Sequence, residues 1–165
     1  MIKVGKEEMN MSNLRHILVV DDDEIARETI CNSLEDADYV IDQACNGEEA
    51  KEKLLNNGYS VVICDIRMPE MDGITLLRKI RKNREVPFIF VTGYPGDVTE
   101  KEILEELKPF GFLVKPFDHK SLRLLVDNAA KHYEFTWKRK RLLREMEEEG
   151  NKRLQKYIET LKYII

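Results

Sequence analysis

Cysteine is scarce in this chain of 165 residues: Cys31, Cys45 and Cys64 are the whole complement. An odd number without metal-ligand spacing argues against a secreted disulfide framework, so the three are expected to be small buried apolar residues with reduced thiols. No apolar run approaches the ~20 residues of a membrane-spanning helix, and the amino end has no signal-peptide core. The expectation is a cytoplasmic protein without membrane attachment. Excess positive charge is missing too. With 27 basic residues against 31 acidic ones the net charge is −4, so bulk electrostatics give no hold on nucleic acid.

What is present is an apolar fraction of 42% beside a charged fraction of 35%. That balance fits one globular domain with a highly charged appendage. Met1 to Arg15 has no sustained periodicity and is expected to be a mobile tail. From His16 the pattern alternates. The expected strands are His16 to Asp21, Tyr39 to Ala44, Val61 to Cys64, Pro87 to Thr92 and Gly111 to Lys115. A helix is expected over Glu24 to Glu35, capped by Asp23, with Ile25, Thr29, Ile30 and Leu34 inward. A second opens on the Asn46 and Glu49 capping pair, and a third covers Ile74 to Lys82. Thr99 and Glu102 cap a fourth, ending near Lys108-Pro109, and the fifth follows Pro116-Phe117-Asp118. Five apolar strands alternating with five helices predict an α/β fold with a parallel sheet covered on both faces.

The stretch YSVVICDIRMPEMDG, Tyr59 to Gly73, carries the chemistry. Its buried strand delivers one carboxylate, Asp65, to a loop at the sheet edge where open α/β folds bind ligands. An aspartate there can attack phosphorus and carry the phosphoryl group covalently. The first strand ends in Asp21-Asp22-Asp23, the fourth at Thr92 and the fifth at Lys115, all at the same edge. Carboxylates within ~4 Å repel by about 4 kcal/mol per pair at an effective dielectric of 20, so the set calls for a cation. Hard oxygen ligands suit Mg2+. Lys115 and the Thr92 hydroxyl are placed to neutralise and bind a transferring phosphoryl group.

Asp21-Asp22, Asp65 with its MPxMDG turn, Thr92 and Lys115-Pro116-Phe117 together resemble the response-regulator receiver domain of two-component signalling, over about His16 to Lys131. The resemblance implies a flavodoxin-like, doubly wound sheet of order 2-1-3-4-5. It implies that Asp65 accepts a phosphoryl group from a phosphohistidine on a sensor histidine kinase or phosphotransfer protein. It further implies Mg2+ ligation by Asp22, Asp65 and the Arg67 backbone carbonyl, with Asp21 acting through a water, and phosphoryl binding by Thr92 and Lys115. Thr92 and Phe112 would form the switch pair. Arg67 and Tyr94 fall where the family tunes phosphoryl lifetime, and Lys108-Pro109 replaces a usual Gly-Ala pair. Such a protein is a signalling phosphoacceptor that catalyses only its own phosphorylation and dephosphorylation. A haloacid-dehalogenase-type phosphatase, with Asp21 as nucleophile in Asp21-x-Asp23, is the competing reading. It leaves Asp65 and its loop unexplained, and no later strand supplies its further metal-binding acids. A receiver-like interaction module that takes no phosphate is the third.

Beyond the receiver, residues 132–165 form a helical extension. Val126, Ala129, Tyr133, Leu143, Leu154, Tyr157, Leu161 and Ile164 share one 3,4-spaced register, a coiled-coil stripe interrupted at Thr136, Lys140, Glu147 and Gly150. The favoured expectation is a continuous helix that pairs with a second copy; the rival is a break near Gly150 and a helical hairpin. Lys138 to Arg144 followed by Glu145 to Glu149 reads as a solvated face rather than a nucleic-acid patch. Either the protein signals through this helix or an output domain follows it, and the apolar end at Leu161 to Ile165 favours the second expectation.

Overall fold

In the computed structural model the described residues are 15–35, 38–94, 96, 105 and 107–162. Five parallel strands, β1 (His16–Val20), β2 (Val40–Ala44), β3 (Val61–Cys64), β4 (Phe88–Thr92) and β5 (Gly111–Val114), make one sheet of order β2-β1-β3-β4-β5. Helices α1 (Glu24–Ser33), α2 (Gly47–Asn56), α3 (Gly73–Arg81) and α4 (His119–Lys162) complete the described elements. The expected mobile tail and most of the expected helix beginning at Thr99 lie outside the described residues. Among those residues no helix is long and apolar enough to cross a membrane.

Alternation along each strand sends successive side chains to opposite faces, and two apolar cores result. Leu18, Val20, Val62, Cys64, Phe88 and Phe90 pack with Leu54 of α2 and with Leu76, Leu77 and Ile80 of α3. Ile17, Val19, Val61, Ile63, Ile89 and Val91 pack with Ile30 of α1 and with Leu122, Val126 and Ala129 of α4. Each fully buried Leu, Ile or Phe contributes roughly 1.5–3 kcal/mol relative to exposure. Covering both faces fixes the sheet and so fixes where its strand ends emerge.

The helix starts follow from short polar side chains. Asp23 accepts from the amides of Ile25 and Ala26, Asn46 from that of Glu49, and Asp72 from that of Thr75 at 2.6 Å. Glu49 completes its pair by accepting from the Cys45 amide at 2.8 Å.

Two expectations need correction. On α1, Ile25 is 75% exposed and Thr29 is also exposed, while Ile30 and Leu34 are buried. The buried line keeps an i, i+4 step, and Ile25 lies one residue off it. The thiols are the second: Cys45, just past the edge strand β2, is exposed and Cys31 half-buried, so that of the three Cys64 alone is buried. At Gly150 the favoured expectation holds, with α4 continuous from His119 to Lys162. Lys108 has φ 44°, a left-handed conformation that glycine takes without cost.

The chain divides into two units, Met1–Tyr133 and Glu134–Ile165. Within the second, Glu134 pairs with Lys138, Arg141 with Glu145 at 2.8 Å and Glu149 with Arg153 at 3.0 Å, each one helical turn apart.

Candidate functional site

Register brings the acids together. Strand β1 lies between β2 and β3, with Val20 level with Cys64, so the residues that follow, Asp21 and Asp65, leave the sheet side by side. Asp65 is tied there by its own amide, which donates to the Val20 carbonyl at 2.8 Å, and Asp21 by its amide to Ala44 at 3.3 Å. Oxygen atoms of Asp21, Asp22 and Asp65 all lie within 4.8 Å of one another.

The three carboxylates are not equivalent. Asp21 is 1% exposed and both its oxygens are engaged: one accepts from the Asp23 amide at 2.9 Å, the other from Lys115 Nζ at 2.6 Å. Asp22 is exposed and Asp65 half-buried. Burial pushes the Asp65 carboxyl up to about 6; the Lys115 ammonium opposes the rise, Asp21 adds to it, and the Ile66 and Arg67 amides favour the charged form. Near neutral pH Asp65 is therefore mostly an anion, open on one side.

Lys115 follows β5 and donates its amide to the Thr92 carbonyl at 2.8 Å, which joins the fourth and fifth strand ends at the same edge. Thr92 is 1% exposed, and its hydroxyl oxygen accepts from the Tyr94 amide at 3.2 Å. Phe112 of β5 sits level with Phe90 of β4, the two rings stacked with centroids 5.7 Å apart. The structure thus brings Asp21, Asp22, Asp65 and Lys115 together, with Thr92 at the next strand end and Phe112 one strand over.

The loop after Asp65 is held closely. Gly73 donates its amide to the Ile66 carbonyl at 2.8 Å, and a Cβ at Gly73 would lie 2.3 Å from the Asp65 carbonyl oxygen. Glycine is required here by backbone approach. Met71 is buried against Gly47, where a Cβ would meet it at 2.7 Å. These contacts anchor the turn, and Arg67 and Tyr94 are both exposed. The two side chains meet: the Arg67 guanidinium lies over the Tyr94 ring, 4.3 Å from its centroid.

Two supporting residues escaped the sequence reading. Arg27 donates to the Asp21 backbone carbonyl at 2.8 Å and to Gln43 at 3.2 Å, bracing the first acid loop against β2. The Cys64 thiol, buried and held protonated chiefly by desolvation, lies 3.0 Å from the Asp65 carbonyl oxygen. Neither contact leaves a mark in spacing or composition: Arg27 reaches Gln43 only because β1 and β2 are neighbours, and the Cys64 bond to the next carbonyl depends on the local backbone path.

A parallel sheet doubly wound by helices, with an acid cluster and a lysine at its carboxyl edge, defines the flavodoxin-like class of ligand-binding α/β proteins. Within that class, the family model of the response regulator receiver domain matches residues 17–127, and the chain belongs to that family. It is similar to the sensor kinase CckA of Brucella abortus, 38% identical over 120 residues that make 71% of this chain and 13% of that protein. It is also similar to the transcriptional regulatory protein SrrA of Staphylococcus aureus, 35% identical over 116 residues, 70% of this chain and 47% of that one. The chain therefore corresponds to under half the length of these relatives. Among solved structures, a response regulator receiver domain protein from Clostridium thermocellum superposes with TM-score 0.67 at 27% identity, covering 73% of this chain and 98% of that one. The chemotaxis protein CheY4 of Vibrio cholerae gives TM-score 0.62 at 28% identity, covering 69% and 97%.

Proposed function

We propose that the chain is the phosphoacceptor of a two-component system, taking a phosphoryl group on Asp65 from a sensor histidine kinase or phosphotransfer protein. The observation that carries this is the inequality of the acids. Asp21 is buried with both oxygens occupied, whereas Asp65 is ionised and half-open beside the same lysine. A nucleophile must be reached by its donor, and Asp65 is the more accessible of the two. Its carboxylate oxygen attacks phosphorus, the P–N bond of the phosphohistidine breaks, and the donor imidazole leaves with that electron pair. The product is an acyl phosphate on Asp65.

The donor set fits Mg2+, a hard cation that takes oxygen ligands: three carboxylates in one small cluster, one of them exposed. Asp22, Asp65 and the Arg67 backbone carbonyl would hold the ion, with Asp21 acting through a water. When bound, Mg2+ neutralises charge on the acids and on the phosphoryl oxygens. Lys115 then binds a phosphoryl oxygen, exchanging its present bond to Asp21, and the Thr92 hydroxyl donates to another. Drawing Thr92 toward that oxygen frees space that the Phe112 ring follows. Phe112 lacks a hydroxyl, so only packing reports the change.

In this reading residues 16–131 are the receiver and 132–165 a helical extension that pairs two copies, in the cytoplasm and without nucleic-acid contact by this chain alone. The protein catalyses nothing beyond its own phosphorylation and dephosphorylation. Incubation with acetyl phosphate and Mg2+ tests it by intact mass: one added phosphoryl group, lost in Asp65→Asn and on chelation. Steady phosphate release abolished by Asp21→Asn but not by Asp65→Asn would instead indicate a phosphatase.

A further inference from the structure

Asp22 is the exposed member of the acid cluster, and among the described residues no hydrogen bond engages its side chain. Its backbone is held on both sides. The peptide before it presents the Asp21 carbonyl, which accepts from Arg27 Nη1 at 2.8 Å. The peptide after it presents the Asp23 amide, which donates to the Asp21 carboxylate at 2.9 Å. Each peptide unit is planar, so a bond to each of the two narrows the freedom of Asp22 toward that of its own side-chain rotamers. Arg27 closes the loop a second time, its own amide donating to the Asp23 carbonyl at 3.0 Å. One residue thus grips the carbonyls of both neighbours of Asp22.

The grip has an anchor outside the loop. Arg27 Nε donates to Gln43 Oε1 at 3.2 Å, and Gln43 lies on β2, paired with Val19 of β1. Two donors of one rigid, planar fork therefore span from a strand to the acid loop. Both of these side-chain bonds go to neutral acceptors, and no described carboxylate forms an ion pair with Arg27. Its charge alone would oppose a divalent cation bound by the neighbouring acids. What the guanidinium offers the site is geometry.

Resting on the reading that Asp22 ligates Mg2+, we propose that Arg27 is a positioning residue that makes the acid cluster select Mg2+ over Ca2+. Mg2+ demands near-octahedral placement of its ligands, whereas Ca2+ accepts more ligands in looser geometry. A carboxylate on a clamped backbone favours the first ion and gives less advantage to the second. Groups that orient a ligand from behind set metal affinity in this way.

Titration of the full chain with Mg2+ and with Ca2+, followed by its amide NMR resonances, tests the proposal and shows whether each variant is folded. Arg27→Gln is expected to weaken Mg2+ binding by roughly tenfold and Ca2+ binding by about threefold or less, so the ratio of the two affinities falls. A role through charge alone has the opposite sign, since removing the cation would tighten both ions alike. Arg27→Lys keeps the charge without the fork and is expected to lose Mg2+ affinity by about threefold. Gln43→Ala leaves Arg27 in place, removes its anchor at an exposed position of β2, and should lower the same ratio; it carries the test if the arginine variants do not fold. Mg2+ binding in Arg27→Gln as tight as in the parent or tighter, or an unchanged ratio in Gln43→Ala, would overturn the proposal. A parent chain that binds no Mg2+, or whose Mg2+ affinity survives Asp22→Asn, would overturn the metal reading itself and this inference with it.

Discussion

Arg67 and Tyr94, from loops after different strands, are in cation–π contact, with 4.3 Å between the guanidinium carbon and the ring centroid. On the proposed function, each is bulky enough to obstruct the water that attacks a phosphoryl group on Asp65. Such a contact at an exposed site is worth about 0.5–1 kcal/mol. We predict that Arg67→Ala and Tyr94→Ala each shorten the lifetime of the phosphorylated protein by a few-fold. The double variant should lose little more than either single one, because neighbouring groups couple. Dephosphorylation rates of the four proteins check this; simple additivity would mean that the two act separately.

The Lys115 and Asp21 pair is a second point of test. Asp21 is almost fully buried and Lys115 only partly exposed, so removing the lysine strands a buried charge. Lys115→Met is expected to destabilise the metal-free protein by about 3 kcal/mol. Adding Asp21→Asn should recover most of that loss in urea unfolding.

Gly73 leaves no space for a side chain beside the Asp65 backbone. Gly73→Ala forces the loop off its present path, at a cost of about 2–3 kcal/mol. Gly150→Ala, with open space around it, should by contrast leave the receiver's unfolding midpoint unchanged.

Glu49 offers a pH-dependent reading away from the site. Its hydrogen bonds to Lys53 and to the Cys45 amide hold its carboxyl down at about 2. A depressed carboxylate pKa stabilises the fold above the unfolded value, near 4.5, and that stability is lost as pH falls toward 2. Because the Glu49 side chain is 36% exposed, screening reduces the effect to a few tenths of a kcal/mol, about 0.5 at most. Glu49→Gln should therefore lower the unfolding midpoint at pH 7 and converge on the parent protein near pH 2.

Much of the fold was legible because period-two apolar strands and short polar caps act locally. The β3 strand matched its expected bounds, and Asp23 and Asn46 cap as expected. The order 2-1-3-4-5 came from the family resemblance, and the sheet has that order. Ile25 was misplaced because hydrophobicity alone cannot say which of two adjacent positions faces the sheet. The contact between Arg67 and Tyr94 was hidden for another reason: each position was notable, but only the adjacency of β3 and β4 brings them together. Gly150 pointed toward a break because glycine is a poor helix former, yet the apolar register on either side of it favoured continuation, and the helix runs on.

The most direct measurement is chemical mapping of the phosphorylated residue. Borohydride reduces an aspartyl phosphate to homoserine, and peptide mass spectrometry then locates the altered position. After incubation with acetyl phosphate and Mg2+, the account predicts homoserine at position 65 and nowhere else. Homoserine at position 21 or 22, or an unmodified Asp65 in protein that has gained a phosphoryl group, would contradict it.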